Sequence, residues 1–305
     1  MAGSSIRTKF QAVVVVLALS AIGVSVWIGS ADASAALREA TADRLRAVRE
    51  TKQHALERYF EDLGRHVTAL STSEATIAAL RDFELAWSRL GAAGTGSMEE
   101  RRLREYYTSV LAAQTRADAA HAPLIDTWFP SDARTRQLQY HLIANNPHPI
   151  GSKDLLLEVP DVPAYGEAHA RHHPTFHRYQ TAFGFYDIFL ISAVDGRLLY
   201  SVMKEVDLGV SLTADPYRST RLGRAFARAA RPSAPDDDTS VLEDFAPYFA
   251  SGFAPAAFIA APVRVAGATV GVLAMQLSIR EVDRVMTGGQ NWRGEGLGDS
   301  GQAYA

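Results

Sequence analysis

Histidines crowd one stretch of the chain: His141, His148, His169, His172, His173 and His177. On a helix, His169 and His173 are four residues apart and share a face. Two imidazoles at that spacing can hold a transition metal when a third ligand such as Glu167 or Asp187 joins them. The motif context for such a centre is missing. There is no H-E-x-x-H pair, and Pro174 interrupts the helical pattern before His177. The reading is of hydrogen-bonded or solvated histidines, with no metal and no cofactor.

A second set of polar residues sits at the ends of apolar runs: Asp187, Lys204, Asp207 and Asp244. Tyr186, Tyr200, Tyr217, Tyr248 and Phe258 lie close to them in the same runs. A few convergent charges inside an aromatic wall are what a pocket for a small polar ligand needs. The alternative for any one of these residues is a core aromatic or a structural ion pair. As a group they form the candidate ligand-binding set. No catalytic residues are assigned. Paired carboxylates have no diagnostic context, and there is no G-x-S-x-G elbow. Gly151-Ser152-Lys153 lacks the spacing of a phosphate loop, and the glycines at 294, 296 and 298 do not open a βαβ helix.

The elements that must position these groups are strands. Tyr186 to Ile191, then the Asp195-Gly196 turn, then Arg197 to Glu205 read as a hairpin. Ala257 to Ala261 and Thr269 to Leu277 resume the sheet, and Pro262 marks an edge strand or a bulge. Asp215-Pro216 reads as the N-terminus of a helix with Leu222, Ala225, Phe226 and Ala229 inward. Ser278 to Glu281 form a capping box for a last helix reaching Met286. Upstream, helices are expected from Met98 to Ala119, from Asp132 to Ile143 with Ser131 as N-cap, and from Val162 to Phe183, restarted at Pro174.

Composition narrows the class. The chain has 305 residues, 47% of them apolar, a formal charge of -3 and no cysteine. That excludes wholesale disorder, a disulfide scaffold and a thiolate nucleophile, and offers no reason to expect nucleic acid. Arg7 and Lys9 precede an uncharged run from Phe10 to Ala31. About 20 residues of helix cross the hydrocarbon core, and the basic flank holds the first residues in the cytoplasm. Ala31-Asp32-Ala33 also fits a signal-peptidase site, but the run is longer than a usual signal core and the helical pattern passes through it.

From Ala35 to about Leu90 the chain reads as one long stalk helix. Leu56, Phe60, Leu63, Val67 and Leu70 alternate spacings of four and three. That is a heptad seam for a homodimer, or the buried stripe of a helix packed on its own domain.

The runs Tyr186-Asp187-Ile188-Phe189-Leu190, Tyr200 to Asp207, Pro216-Tyr217, Asp244-Phe245-Ala246-Pro247-Tyr248 and Gly271-Val272-Leu273 resemble the double Cache family. These are PAS-like extracytoplasmic sensor modules of bacterial chemoreceptors, sensor kinases and membrane nucleotide cyclases. The resemblance implies an α+β fold: a transmembrane helix, a long stalk helix, then a PAS-like antiparallel sheet with flanking helices. It implies residues 1–9 in the cytoplasm, a span at 10–31, a stalk at 35–90 and a membrane-distal module at 98–286. Residues 287–305 resemble the lead-in to a membrane-proximal module, so the chain reads as a piece of a longer receptor in the bacterial inner membrane. The implied function is small-molecule sensing, with a ligand of unknown identity. The family's amino-acid-binding members carry a Trp-Tyr pair that Asp215-Pro216-Tyr217-Arg218-Ser219 lacks, so that ligand is not carried over. A membrane-tethered hydrolase using residues 141–177, or a tether that binds nothing, are the alternatives.

Overall fold

The computed structural model describes residues 6–91, 96–111, 126–231 and 239–288. The expected helix end at 112–119, Leu124-Ile125, Asp236 to Asp238 and the segment from 289 onward lie outside them. Helix α1 runs Ile6–Ser71 and α2 runs Glu74–Arg89. The helix expected to continue to Leu90 therefore stops at Ser71. Thr72 and Ser73 turn the chain, and the Ser73 hydroxyl accepts from Thr76 N to cap α2. Hydroxyl side chains that bond the local backbone favour caps over helix interiors.

The chain divides into two compact units, residues 58–283 and residues 1–57 with 284–305. In the second unit, the apolar run of α1 is fully exposed, and α1 is the single helix among the described residues long and apolar enough to cross a membrane. Lys52 Nζ there donates to Val285 O at 3.2 Å.

In residues 58–283 five strands form an antiparallel sheet: β1 (Asp187–Ser192), β2 (Leu198–Ser201), β3 (Val241–Tyr248), β4 (Ala254–Val265) and β5 (Ala268–Leu277). The order is β2-β1-β5-β4-β3, the strand order of a PAS-like fold. The α+β class follows. β3 was not expected as a strand. Its pattern mixes Glu243, Asp244 and Pro247 among the apolar residues, and it is an edge strand with a bulge between Glu243 and Ala246. Pro262 lies within β4, just past Ala260, where pairing with β3 begins, and next to a register shift at Val263/Arg264. A proline there blocks no ladder bond to β3.

Helices α3 (Ser97–Glu105), α4 (Ala133–Gln139), α5 (Pro163–Phe183), α6 (Arg221–Ala229) and α7 (Ile279–Thr287) complete the fold. α3 runs on into a π turn over Tyr106–Leu111, and α4 into another over Tyr140–Ala144. Asp132, not Ser131, caps α4. Pro174 sits inside α5 without ending it, and Gly184 stops α5 in the left-handed conformation at φ 71°. α6 starts after a 3-10 turn at Tyr217–Ser219, capped by Thr220 rather than Asp215.

Leu63, Val67 and Leu70 of α1 enter the core of residues 58–283. That part of the heptad stripe is filled by the chain's own module and is not free to pair with a second stalk. α2 lies against the same face of the sheet. A Cβ at Gly271 of β5 would collide with the Leu80 side chain, so glycine is what allows the close approach.

Candidate functional site

The site begins where β2 ends. Beyond Ser201 the chain leaves the sheet as a loop, Val202 to Leu208, that carries three ionisable residues. Asp187, the first residue of β1, clasps the exit. Its Oδ1 accepts from the amides of Ile188 (2.7 Å), Val202 (2.8 Å) and Met203 (3.1 Å), and its Oδ2 from the Ser201 hydroxyl (2.6 Å). Burial pushes its carboxyl up to about 7 while the hydrogen bonds, the Ser201 hydroxyl first, pull the other way.

Lys204 follows with φ at 58°, in the left-handed region that side chains rarely adopt. Its amide donates to Ser201 Oγ at 2.8 Å, which holds the turn. The side chain is fully buried. Nζ donates to Val202 O at 2.9 Å and lies 3.5 Å from His173 Nε2. Burial pulls the ammonium down to about 7, against the attraction of Asp187 and Asp154.

Glu205 accepts from the Tyr186 hydroxyl at 2.6 Å and from Ser251 Oγ at 2.8 Å, and Gln276 Nε2 donates to that serine oxygen at 3.0 Å. Burial, then the Asp207 charge, raises its carboxyl well above the ordinary range. Asp207 accepts from the Tyr248 hydroxyl at 2.6 Å through Oδ2, and its buried Oδ1 has no hydrogen-bond partner among the described residues. Burial lifts Asp207 to about 6. The loop backbone is held from above. Val206 O accepts from Gln139 Nε2 (2.7 Å), Tyr217 OH (3.1 Å) and Tyr107 OH (3.3 Å), and Leu208 O accepts from the same Gln139 amide.

A small cavity lies between this loop and the turn at Ile150–Lys153, closed by Tyr106 and Ala250. Its room is about 10 Å³, enough for one water. Lys153 lines it and is buried. Its Nζ donates to Ile143 O at 2.7 Å and to His148 O at 3.3 Å.

Of the residues singled out from sequence, Tyr186, Asp187, Lys204, Asp207, Tyr217 and Tyr248 gather around this loop. Phe258 packs edge-on against Tyr248 at 5.0 Å and so backs the site. Tyr200 stacks on Phe83 of α2 at 4.8 Å, on the opposite face of the sheet from Asp187 and Ser201. Asp244 is exposed on β3, where its carboxylate accepts from Phe245 N, and does not join the group. Gln139, Tyr107, Lys153, Ser251 and Gln276 were not foreseen. They come from distant segments and carry no local pattern.

The histidines of α5 form their own row. His169 and His173 stack at 4.3 Å. His173 Nε2 donates to Asp154 O at 2.6 Å and its Nδ1 accepts from the Tyr200 hydroxyl at 2.7 Å. His177 and His172 donate to Asp154 Oδ2 and Asp82 Oδ2, at 2.9 and 2.8 Å. His141 lies 3.5 Å from Asp161. Among the described residues no group of three or more histidines and acids is placed to hold a metal ion.

No protein-family model matches the chain. No curated protein matches it either. Among solved structures it is similar to the sensor domain of the V. cholerae histidine kinase DctB, at 17% identity and a TM-score of 0.29, covering 61% of each chain. It is also similar to the ligand-binding domain of the Campylobacter jejuni chemoreceptor Tlp3, solved with 4-methylisoleucine: 12% identity, TM-score 0.30, 63% of this chain and 65% of that one. The ligand-binding domain of the Pseudomonas aeruginosa amino acid chemoreceptor PctC, solved with GABA, overlaps at 17% identity and a TM-score of 0.26, covering 61% and 66%. The chain thus spans less than two thirds of each of these domains. Overlap this partial says nothing of ligand or partners.

Proposed function

We propose that residues 58–283 are an extracytoplasmic small-molecule sensor module of Cache type, tethered by α1 to the bacterial inner membrane. The observation that carries this reading is the loop Val202 to Leu208. It buries Lys204 and Asp207 fully and brings Lys204 and the half-buried Glu205 to the lining of one small cavity at the edge of a PAS-ordered sheet. Buried ionisable groups are costly for a fold and are retained where they serve a site. None of them forms the nucleophile–base pairing that catalysis requires, so binding rather than turnover is the activity assigned.

In this reading the closed cavity is one of two states. A ligand shifts the balance only by its differential affinity for the open one. Leu63, Val67 and Leu70 link the module's core to α1, and α1 carries the apolar run. A homodimer would then use stalk residues N-terminal to Leu63, such as Leu45 and Val48.

Thermal-shift screening of the full chain in detergent micelles tests the assignment, with amino acids, organic acids, amines and purines as separate classes. Stabilisation by members of one class is expected. No stabilisation by any class would leave a tether. A reporter fused after Thr287 checks topology: activity confined to the cytosolic form overturns the extracytoplasmic placement.

A further inference from the structure

We propose that a second pocket, between the end of α1, the end of α5 and strand β5, binds a small organic cation of the methylated-ammonium class. This goes beyond the sensor reading and does not depend on it.

The pocket lies on the face of the sheet away from the loop after β2. Met275 of β5 lines it, whereas the next residue, Gln276, faces Ser251 and Glu205. Leu70, Phe185 and Met275 are buried and form its floor. His66, Tyr179 and Phe183 are exposed and form its rim. Phe183 is the hub of the rings. Its centroid lies 4.6 Å from His66, 5.9 Å from Tyr179 and 6.3 Å from Phe185. The room is about 230 Å³. Pockets for drug-sized ligands begin at roughly 300 Å³, so this one suits a smaller guest.

Tyr179 is 38% exposed and Phe183 42%. Aromatic faces held open at a pocket attract cations through the negative face of the ring. A methylated ammonium brings charge without N–H donors, and its methyl groups pack on apolar walls. A lining this poor in acceptors leaves such a cation with nothing unsatisfied, whereas a primary amine would lose its hydrogen bonds to water.

The local field has the matching sign. Ala69 and Leu70 come from the last turn of α1, and Phe183 from the last turn of α5. A helix C-terminus carries roughly half a negative charge and favours cations. Neither helix has a basic residue in its last turn. Ser71, Thr72 and Ser73 bond the last carbonyls of α1 through hydroxyls, which carry no charge. A carboxylate is also close: a Cβ on Gly184, the residue between Phe183 and Phe185, would lie 3.3 Å from Glu281 Cδ. Of the basic neighbours in sequence, Arg65 is paired with Asp62, and Arg178 is exposed and does not line the pocket.

The test uses the full chain in maltoside micelles, whose head groups carry no ammonium, by calorimetric titration and thermal shift. The probes are tetramethylammonium and choline, beside the neutral tert-butyl analogue of choline and sodium chloride at matched ionic strength. The cations should bind about tenfold or more tighter than the neutral analogue. They should raise the melting temperature by about 2 °C or more at saturation. Tyr179→Leu keeps apolar bulk and removes a π face. It should weaken the cations about threefold or more and leave the neutral analogue unchanged. Phe183→Leu should weaken them further, and Glu281→Gln by about twofold, less so at high salt. Unliganded melting curves show which variants fold, and the exposed Tyr179 keeps the test decisive if Phe183→Leu does not. Equal binding of the neutral analogue, or cation binding indifferent to Tyr179→Leu, overturns the assignment. Cation binding lost in Lys204→Met but kept in Tyr179→Leu also overturns it, by placing the ligand at the loop after β2. A dimer in light scattering that Tyr179→Leu dissolves would give the pocket to a second copy of the chain. Silence from both cations overturns the proposal and leaves the sensor reading untouched.

Discussion

On α5, His173 commits both ring nitrogens to protein partners, whereas 3.5 Å away the Lys204 ammonium has one main-chain carbonyl. Both groups are buried. His169 and His173 stay neutral: burial, then the nearby Lys204 charge, pushes His169 down to about 2 and His173 to about 3. A neutral imidazole needs only hydrogen bonds, and the fold provides them. The loop after β2 instead buries an ammonium with few hydrogen-bond partners and a carboxylate oxygen with none among the described residues. The first region behaves as structure and the second as a site in waiting. That difference is invisible in residue type, since His, Lys and Asp all read as candidates.

The sharpest way to break this contrast is at Asp187, which is structural although it stands inside the site. Asp187→Ala strips four hydrogen bonds from buried partners, and urea unfolding should report a loss of about 3–5 kcal/mol. A loss under about 1 kcal/mol would mean that the loop is held by other contacts. Next in size, His173→Phe orphans Asp154 O and the Tyr200 hydroxyl, and should cost about 2 kcal/mol while leaving ligand stabilisation intact. A selective loss of ligand response would move the histidine row into the site.

Lys204→Met carries the opposite expectation. Removing a buried unpaired charge should leave the unliganded chain between unchanged and about 2 kcal/mol more stable at pH 7, a trade seen where sites store strain. The pH dependence sharpens it. The Lys204 ammonium lies near 7 in the fold and 10.5 in the open chain. Between those values the unfolded chain binds the extra proton, so the wild type gains on the variant as pH rises from 7 to 10.5. For His169 the folded value is about 2 against 6.5. The unfolded chain takes up the proton below 6.5, so the wild type loses ground to His169→Phe as pH falls from there. Two unfolding series across pH, each read against its variant, separate these windows. Coincident windows would show that the two groups titrate as one.

The smallest effect is expected outside both regions. The half-exposed Arg228 pairs with the buried Glu243 at 2.8 Å, and Arg221 reaches the same carboxylate at 3.5 Å. Arg228→Ala should change unfolding free energy by about 1 kcal/mol or less, because the Arg228 end of the pair is in solvent and Arg221 still answers the carboxylate. A larger change would assign β3 a structural weight that its edge position does not suggest.

Much of the fold was legible because it depends on local pattern. The Asp195-Gly196 turn, the apolar runs of β1 and β5, and the span in α1 each declare themselves within a few residues. The break at Thr72-Ser73 was legible only in part, since two hydroxyl residues inside a long helical pattern do not by themselves stop a helix. β3 was missed because edge strands tolerate the charges and proline that argue against a strand. In the site, Asp187, Lys204, Asp207 and the tyrosines stand near one another in sequence or at strand ends, so reading them as a group was possible. Tyr200 was assigned to the pocket, yet the pleat sends it to the opposite face. That depends on a count of residues from a register no single strand reveals.

Residue order alone determined that this chain has an apolar membrane-length helix, a hairpin-centred α+β module, and polar groups concentrated where strands end. Those properties follow from spacing, and spacing is local. Only the tertiary structure decided which charges are answered. Lys153 and Lys204 lie 51 positions apart, and nothing in either neighbourhood shows that they line one cavity. Whether a buried charge is balanced depends on what the folded chain brings within a few ångströms of it, and electrostatic energy in a dry interior is decided at that distance.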